Sequence, residues 1–248
     1  MTRRFGLIGR TLQHSYSEML FNSKFEREHI DASYRPYELD RVEEVLDLVD
    51  REHLQGFNVT IPYKQTIIPL LDDVSPEAAT IGAVNVVHVL GSGSNRKLVG
   101  YNTDAVGFSQ SLDGWLPASC ISALVLGTGG ASRAVGYALR GRGIEVRYIS
   151  RSPRPGVLSY ESITASLIAH VQLIVNATPL GTFPEVDGCP AVPFEHLSEK
   201  MSLYDLVYNP SLTRFLRKGM ERGCRIKNGE QMLRLQAEAA WEIWNLPK

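Results

Sequence analysis

A glycine-rich loop is the first feature of this chain whose residues could do chemistry. The run Gly127-Thr128-Gly129-Gly130-Ala131-Ser132 follows an almost wholly apolar segment, 121–126, and precedes a helical pattern, 133–139. Glycines after a buried strand let the backbone approach a pyrophosphate, and a helix N-terminus supplies amide donors and positive potential. The context predicts a dinucleotide-binding loop; a purely structural glycine turn is the alternative.

The segment after the next predicted strand bears on the kind of dinucleotide. An NAD site usually carries Asp or Glu about 20 residues beyond the glycines, where the carboxylate binds a ribose hydroxyl. Here strand 145–149 is followed by Ser150, Arg151, Ser152 and, after a proline, Arg154. A guanidinium donates paired, charge-assisted hydrogen bonds to phosphate oxygens. The segment therefore favours NADP, and a solvated basic turn is the alternative.

Two hydroxyl groups precede the first predicted helix, which runs over 17–29. Ser15 and Ser17 lie two residues apart at its start, beside amide groups that no helical carbonyl satisfies. Ser17 alone would be interpreted as a helix N-cap. Two hydroxyls at the positive end of a helix also predict a site for a substrate carboxylate.

A further group of polar side chains surrounds the end of a predicted strand, 56–61. Asn58 and Thr60 share one face of this strand, and parallel sheets bind ligands at the carboxyl ends of their strands. Lys64 falls in the first turn of a helix predicted over 62–71, where the helix dipole disfavours a cation. Lys64 is therefore a candidate functional residue, and a solvated surface lysine is the alternative.

Two more side chains are candidates because of their positions in predicted helices. Asp104 opens a helix, and its favourable interaction with the helix dipole alone would explain it. Gln236 lies on the apolar face of the last predicted helix, 230–244, and a polar amide that faces inward needs partners. The pattern fits a satisfied core amide and a substrate ligand equally well.

Composition narrows the class of protein. The chain has 248 residues and a net charge of -1, so we expect no general attraction to nucleic acid or to an anionic membrane. No apolar run approaches the ~20 residues of a membrane span, and the N-terminus lacks the apolar core of a signal peptide. The 3 cysteines and 6 histidines show no metal-ligand spacing. We expect a reduced, cytoplasmic chain without a metal; its composition fits a monomer and a homodimer alike.

Short apolar strands alternate with helical patterns along the chain. Such alternation predicts an α/β fold with parallel sheets and right-handed crossovers, and two α/β domains are the simplest division. An antiparallel hairpin is predicted from 84–90 and 97–101, around a glycine- and serine-rich turn. Asp40 and Glu43 have the spacing of a capping box before an amphipathic helix.

Taken in order, these motifs resemble those of the shikimate dehydrogenase family over nearly the whole chain. Single motifs are weak, whereas this many in order are specific. The matching stretches are Gly6-Leu7-Ile8-Gly9, His14-Ser15-x-Ser17, Asn58-Val59-Thr60-x-Pro62-x-Lys64, Gly82-Ala83-x-Asn85, Asn102-Thr103-Asp104, Gly127-x-Gly129-Gly130-Ala131-Ser132-Arg133-Ala134, Asn176-Ala177-Thr178-Pro179-x-Gly181, Asp205-x-Val207-Tyr208-x-Pro210 and Gln231-Met232-Leu233-x-x-Gln236-Ala237.

The resemblance implies an NADP-dependent enzyme that reversibly reduces 3-dehydroshikimate to shikimate, on the way to chorismate and the aromatic amino acids. Lys64 and Asp104 would form the catalytic pair. The residues implied for the small-molecule substrate are Ser15, Ser17, Thr60, Asn85, Tyr208 and Gln236. Those implied for NADP are Gly127, Thr128, Gly129, Gly130, Ala131, Ser150, Arg151, Ser152, Arg154, Ala177, Thr178, Val207 and Gly229.

The resemblance also implies how the chain is divided. An N-terminal substrate-binding domain with a mainly parallel sheet would comprise 1–103 plus 229–248, and a Rossmann-type NADP-binding domain would comprise 104–228. The last helix would return to pack on the first domain.

Some positions depart from the family pattern. Glu18 puts a negative charge beside the predicted carboxylate site, and Val86 stands where a threonine usually follows the asparagine. Two alternatives therefore stay open. One is a quinate/shikimate dehydrogenase with relaxed substrate preference or NAD use. The other is a non-catalytic regulator that binds a ligand on the same scaffold, which the presence of both Lys64 and Asp104 argues against.

Overall fold

The chain forms two compact units in the computed structural model, which describes residues 2–12, 16–91 and 93–246 without the side chain of Ser94. Unit 1 comprises Met1–Val106 and Gln236–Lys248, and unit 2 comprises Gly107–Leu235. Both boundaries between the units, after Val106 and after Leu235, fall within helices. Compactness alone does not say which ligand a unit binds, so the functional domains predicted above stay a prediction.

Unit 1 contains a six-stranded sheet. Its strands are β1 (Arg3–Gly9), β2 (Ala32–Glu38), β3 (Gly56–Val59), β4 (Asp73–Val74), β5 (Val86–Leu90) and β6 (Lys97–Tyr101). They lie in the order β2-β1-β3-β5-β6-β4. β1 pairs in parallel with β2 and β3, whereas β5 is antiparallel to β3 and β6. The predicted hairpin is thereby confirmed.

Alternate strand residues point to opposite sides of this sheet, and apolar side chains pack on both sides. The helices associated with it are α1 (Ser17–Arg27), α2 (Val45–Glu52), α3 (Pro76–Ile81), the start of α4 (Asp104–Ser111) and the end of α8 (Glu230–Trp244). On one face Ile8 and Phe57 pack with apolar residues of α2. On the other, Phe5 stacks on Trp244 with ring centroids 4.7 Å apart. Gly56 permits this stacking, because a Cβ at residue 56 would clash with the Trp244 ring.

Two predicted helix starts are wrong. The capping box at Asp40 and Glu43 does not form: a 3-10 turn, Val42–Glu44, leads into α2, and its N-cap makes no side-chain hydrogen bond. Residues 61–67 form turns and not the predicted α-helix. Pro69 explains the difference, because it lacks an amide proton and its ring clashes with the carbonyl four residues earlier. Lys64 therefore does not lie in the first turn of an α-helix.

Unit 2 contains a second, wholly parallel sheet of six strands. The strands are β7 (Ser122–Leu126), β8 (Glu145–Ile149), β9 (Val157–Leu158), β10 (Leu173–Asn176), β11 (Ser202–Asp205) and β12 (Arg225–Lys227). Their order is β12-β11-β10-β7-β8-β9. Numbered along unit 2 alone and read from the opposite edge, this is the order 3-2-1-4-5-6 of a Rossmann fold. The predicted fold class is confirmed.

Helices also accompany this second sheet. They are α5 (Gly130–Gly141), α6 (Ala165–Ile168), α7 (Arg214–Met220), and parts of α4 and α8. α4 ends at Ser111, after which the chain tightens into turns and Gly114 takes a left-handed φ of 68°. α7 begins at Arg214, where the Thr213 side chain caps the helix by accepting from the Leu216 amide at 3.3 Å.

Candidate active site

An ion pair lies at the centre of the polar residues of unit 1. Lys64 Nζ is 2.6 Å from Asp104 Oδ2, and the two side chains are only 15% and 7% exposed. Lys64 lies in the turns after β3, where its carbonyl accepts from the Val84 amide at 2.7 Å. Asp104 is the first residue of α4. The predicted pair is thus brought together by two segments that are 40 residues apart in the chain.

Asn85 fixes the other side of this carboxylate. Its amide donates to Asp104 Oδ1 and to Thr103 Oγ1, both at 3.0 Å. Its own carbonyl oxygen accepts from the Thr103 backbone amide at 2.7 Å. Each Asp104 oxygen therefore has a donor, Lys64 on one and Asn85 on the other, so the carboxylate cannot rotate without losing a bond. Thr103 was not singled out from the sequence.

Gln236 reaches the same cluster from α8. Its Oε1 lies 3.4 Å from Asn85 Nδ2 and 3.4 Å from Thr103 Oγ1, and the residue is buried. The prediction that this amide faces inward to polar partners is confirmed. These long contacts leave both a core role and a ligand role chemically possible.

A second polar group of unit 1 is centred on Tyr34, which the sequence patterns did not identify. The Tyr34 hydroxyl donates to Asn58 Oδ1 at 2.7 Å, and Asn58 Nδ2 donates to the backbone carbonyl of Asn85 at 3.2 Å. Burial raises the pKa of Tyr34 well above its usual range, and a hydrogen bond with the Ser17 side chain acts in the opposite direction. Ser17 at the start of α1 is thereby linked through Tyr34 and Asn58 to the Asn85 segment.

Two other substrate residues were predicted in the N-terminal half. Ser15 lies outside the described residues. Thr60 directly follows β3, is half-buried, and donates its backbone amide to the Ile8 carbonyl at 2.8 Å.

The glycine loop of unit 2 has the geometry of an anion-binding turn. Gly127 has a φ of 109°, a conformation that favours glycine, and a Cβ there would lie 3.1 Å from the Ala177 carbonyl. Gly129 is the N-cap of α5 and, as a glycine, has no side chain that could occupy the first helix amides. Apart from Gly129 and its two chain neighbours, no heavy atom of the described residues lies within 4 Å of a Cβ built on Gly129. The loop containing Thr128, Gly130 and Ala131 thus leaves room beside helix amides, which suits a pyrophosphate.

The predicted basic turn follows β8, the neighbour of β7 in the sheet. Arg151, Ser152 and Arg154 are exposed, and Ser150 accepts from the Ser152 amide at 3.2 Å through its hydroxyl. Within the described ranges, neither guanidinium is paired with a carboxylate. Both are therefore available to a phosphate.

The remaining predicted cofactor residues lie in loops after β10 and β11 and before α8. Asn176 Oδ1 accepts from the Thr178 amide at 3.1 Å and from its hydroxyl at 2.6 Å. The neighbouring Ala177 amide donates to the Leu126 carbonyl at 3.0 Å, and the Gly229 amide donates to the Val207 carbonyl at 3.2 Å. Tyr208, predicted for the substrate, is a half-buried residue of unit 2.

Other kinds of site receive no support from the part of the chain that the structure describes. It contains no group of three or more His, Cys, Asp or Glu side chains that could hold a metal ion. None of its helices is long and apolar enough to cross a membrane.

Comparison with known proteins shows the family to which the chain is similar. The family model described as the shikimate dehydrogenase substrate binding domain matches residues 7–87. A relative from Desulforamulus reducens named shikimate dehydrogenase (NADP(+)) is 35% identical over 265 residues, which cover 98% of this chain and 90% of the relative.

Two solved structures are similar over nearly the whole chain. Shikimate 5-dehydrogenase from Thermus thermophilus, in complex with NADP(H) and shikimate, has a TM-score of 0.85 and 34% identity, covering 98% of this chain and 94% of that one. Quinate dehydrogenase from Corynebacterium glutamicum, in complex with NAD, has a TM-score of 0.85 and 28% identity over the same shares of the two chains.

Proposed function

We propose that this chain, which belongs to the shikimate dehydrogenase family, reversibly reduces 3-dehydroshikimate to shikimate with NADPH. The observation that carries the proposal is the buried Lys64–Asp104 pair at 2.6 Å, with Asn85 holding the second carboxylate oxygen. Bound NADPH supplies the hydride, while the protein orients the reactants and transfers one proton.

Lys64 is the proton-transferring residue in this proposal. In the reducing direction the ammonium group of Lys64 donates a proton to the oxygen of the ring carbon as negative charge develops there. In the oxidising direction the neutral amine accepts the hydroxyl proton. Asp104 orients the amine, and Asn85 and Thr103 keep the carboxylate in place.

The substrate is proposed to bind through neutral hydrogen-bonding groups. Ser15 and Ser17 bind the carboxylate beside the start of α1, and Thr60, Asn85 and Gln236 bind the ring hydroxyls. Tyr208 is the proposed substrate residue of unit 2. Support comes from the links that join Ser17, through Tyr34 and Asn58, to Asn85.

NADP is the proposed cofactor. The first-turn amides of α5, with the loop Gly127, Thr128, Gly129, Gly130 and Ala131, bind the pyrophosphate. Ser150, Arg151, Ser152 and Arg154 bind the 2′-phosphate, and Ala177, Thr178, Val207 and Gly229 line the rest of the cofactor. The unpaired guanidinium groups support NADP over NAD, because a carboxylate at this place would favour an unphosphorylated ribose.

The proposed setting is the cytoplasm, where the enzyme would serve the route to chorismate.

One assay tests the proposal: purified protein is given shikimate or quinate together with NADP or NAD, and the absorbance of the reduced nicotinamide is followed. We expect shikimate with NADP to give the highest kcat/KM. A higher kcat/KM with quinate or with NAD would support the quinate dehydrogenase alternative, and no turnover in any combination would support the regulator.

A further inference from the structure

We infer that Asp205 is a positioning residue for the nicotinamide half of NADP, because its carboxylate holds the two loops that follow β10 and β11. Neither sequence pattern nor the proposed function gave this residue a role. The inference rests on the proposed use of NADP by unit 2.

The surroundings of Asp205 are unusual for an acid. It is the last residue of β11 and is fully buried. Its carboxylate accepts from Thr213 Oγ1 at 2.6 Å, from Asn176 Nδ2 at 2.9 Å and from the Val207 amide at 3.0 Å. No Lys, Arg or His of the described chain forms a salt bridge with it. Burying an acid without a cation is costly, so packing alone does not account for an aspartate here.

The contacts of Asp205 lead directly into the loops proposed to line the cofactor. On one side they fix Asn176, whose Oδ1 binds both the amide and the hydroxyl of Thr178. On the other side they fix the Val207 amide, and the Val207 carbonyl accepts from Gly229 at 3.2 Å. A single carboxylate thus sets the positions of Thr178 and Gly229 without being one of the proposed cofactor contacts.

A structural explanation also exists and makes a different prediction. Asp205 binds Thr213, which caps α7, so its removal could weaken unit 2 as a whole. General damage to unit 2 would weaken every part of NADP binding together. Loss of loop positioning would weaken only the part of NADP that the loops contact, and would spare the adenosine part held by the glycine loop and the basic turn.

The experiment compares two ligands by calorimetric titration: NADP, and 2′,5′-ADP, which lacks the nicotinamide half. At about pH 8, where the Asp205 carboxylate is charged, we expect Asp205→Ala to raise the Kd for NADP roughly ten- to a hundredfold, the range for lost charge-assisted hydrogen bonds, with less than about a twofold change for 2′,5′-ADP. Tyr204→Phe is the matched control, because it removes a buried hydrogen bond to Ser111 from the same strand. The control should change neither Kd.

The outcomes separate the inference from the function on which it rests. Equal weakening of both ligands, or no weakening of NADP, overturns the positioning role. If Asp205→Ala does not fold, Asn176→Ala breaks the same link to Thr178 and is judged by the same two results. Failure of the wild-type protein to oxidise shikimate would contradict the proposed reaction but leave these titrations valid. A wild type that does not bind NADP contradicts both.

Discussion

Lys64 and Asp104 form a nearly buried ion pair whose acidic partner is held on both of its oxygens. Lys64 donates to Oδ2 at 2.6 Å and Asn85 donates to Oδ1 at 3.0 Å. A pair that served stability alone would gain little over a well-packed apolar pair. The amine is instead held in one place, which is what a residue that transfers a proton to a bound substrate requires.

Replacing Lys64 with alanine should lower kcat far more than it changes the KM for shikimate. In the proposed site the substrate is held mainly by hydroxyl and amide groups, which act on the ground state and the transition state alike, whereas proton transfer matters only in the transition state. General acid-base catalysis is worth about 10²–10⁴ in rate. Steady-state kinetics would measure both constants.

Lys24→Ala is the matched control for this prediction. Lys24 is also a mostly buried lysine of unit 1, paired with Glu238 at 2.7 Å, and is not part of the proposed site. Its replacement should leave kcat within about twofold, since only a residue that acts in the transition state changes the rate of the chemical step. A Lys64→Ala enzyme that keeps most of its kcat and shows only a raised KM would make Lys64 a binding residue.

Asp104→Asn should also act on kcat, and its effect should not add to that of Lys64→Ala. Both replacements disable the same Lys64–Asp104 pair. The double variant should therefore lose less activity than the product of the two single losses. The measurement is a double-mutant cycle on kcat/KM with shikimate. Strictly multiplicative losses would mean that Asp104 acts independently of Lys64.

The sequence predicted four residues of this polar cluster but not the contacts that join them. Lys64, Asp104, Asn85 and Gln236 were predicted and are found together in unit 1. Thr103 was not singled out, because a threonine between two polar residues carries no periodic signal. Its contacts join residues 18 and 133 positions apart, and only the folded chain brings these together.

Tyr34 and Lys64 show two different reasons why sequence patterns fail. The ring of Tyr34 belongs to the aromatic core, stacked on Phe21 with centroids 4.5 Å apart. Its position in a strand therefore indicates packing and hides the hydroxyl that binds Asn58. Lys64 was assigned to a helix because Pro62 suits a helix start, whereas Pro69 prevents a continuous helix over the same segment.

Cofactor preference should depend on Arg151 and Arg154. Replacing both with alanine should raise the KM for NADP by roughly ten- to a hundredfold, as for loss of hydrogen bonds from charged groups, and should leave the KM for NAD nearly unchanged. Arg147→Ala is the control, because Arg147 is an arginine of the preceding strand that pairs with Glu145. An unchanged ratio of the two KM values would place the phosphate elsewhere.

Asp205 should make the stability of the protein depend on pH. Burial raises the pKa of its carboxyl from 3.8 to about 7, although the hydrogen bonds from Thr213, Val207 and Asn176 act in the opposite direction. At pH values between these two pKa values, the Asp205 carboxyl holds a proton in the folded state that it has released in the unfolded state. The contribution of Asp205 to stability is therefore fully present below about pH 4 and is lost as the pH rises through about 7.

Asp205→Asn removes this ionisation with little change of shape. The free energy of unfolding of the wild type minus that of Asp205→Asn should fall between about pH 4 and pH 7 and then level off, as measured by urea denaturation at constant ionic strength. Thr213→Val removes a hydrogen bond that lowers the pKa of Asp205, so it should move the window to higher pH, besides costing about 1 kcal/mol as a lost N-cap. If the wild type and Asp205→Asn give parallel curves over this range, Asp205 does not change its protonation there, and its carboxylate stays charged in the folded protein despite its burial.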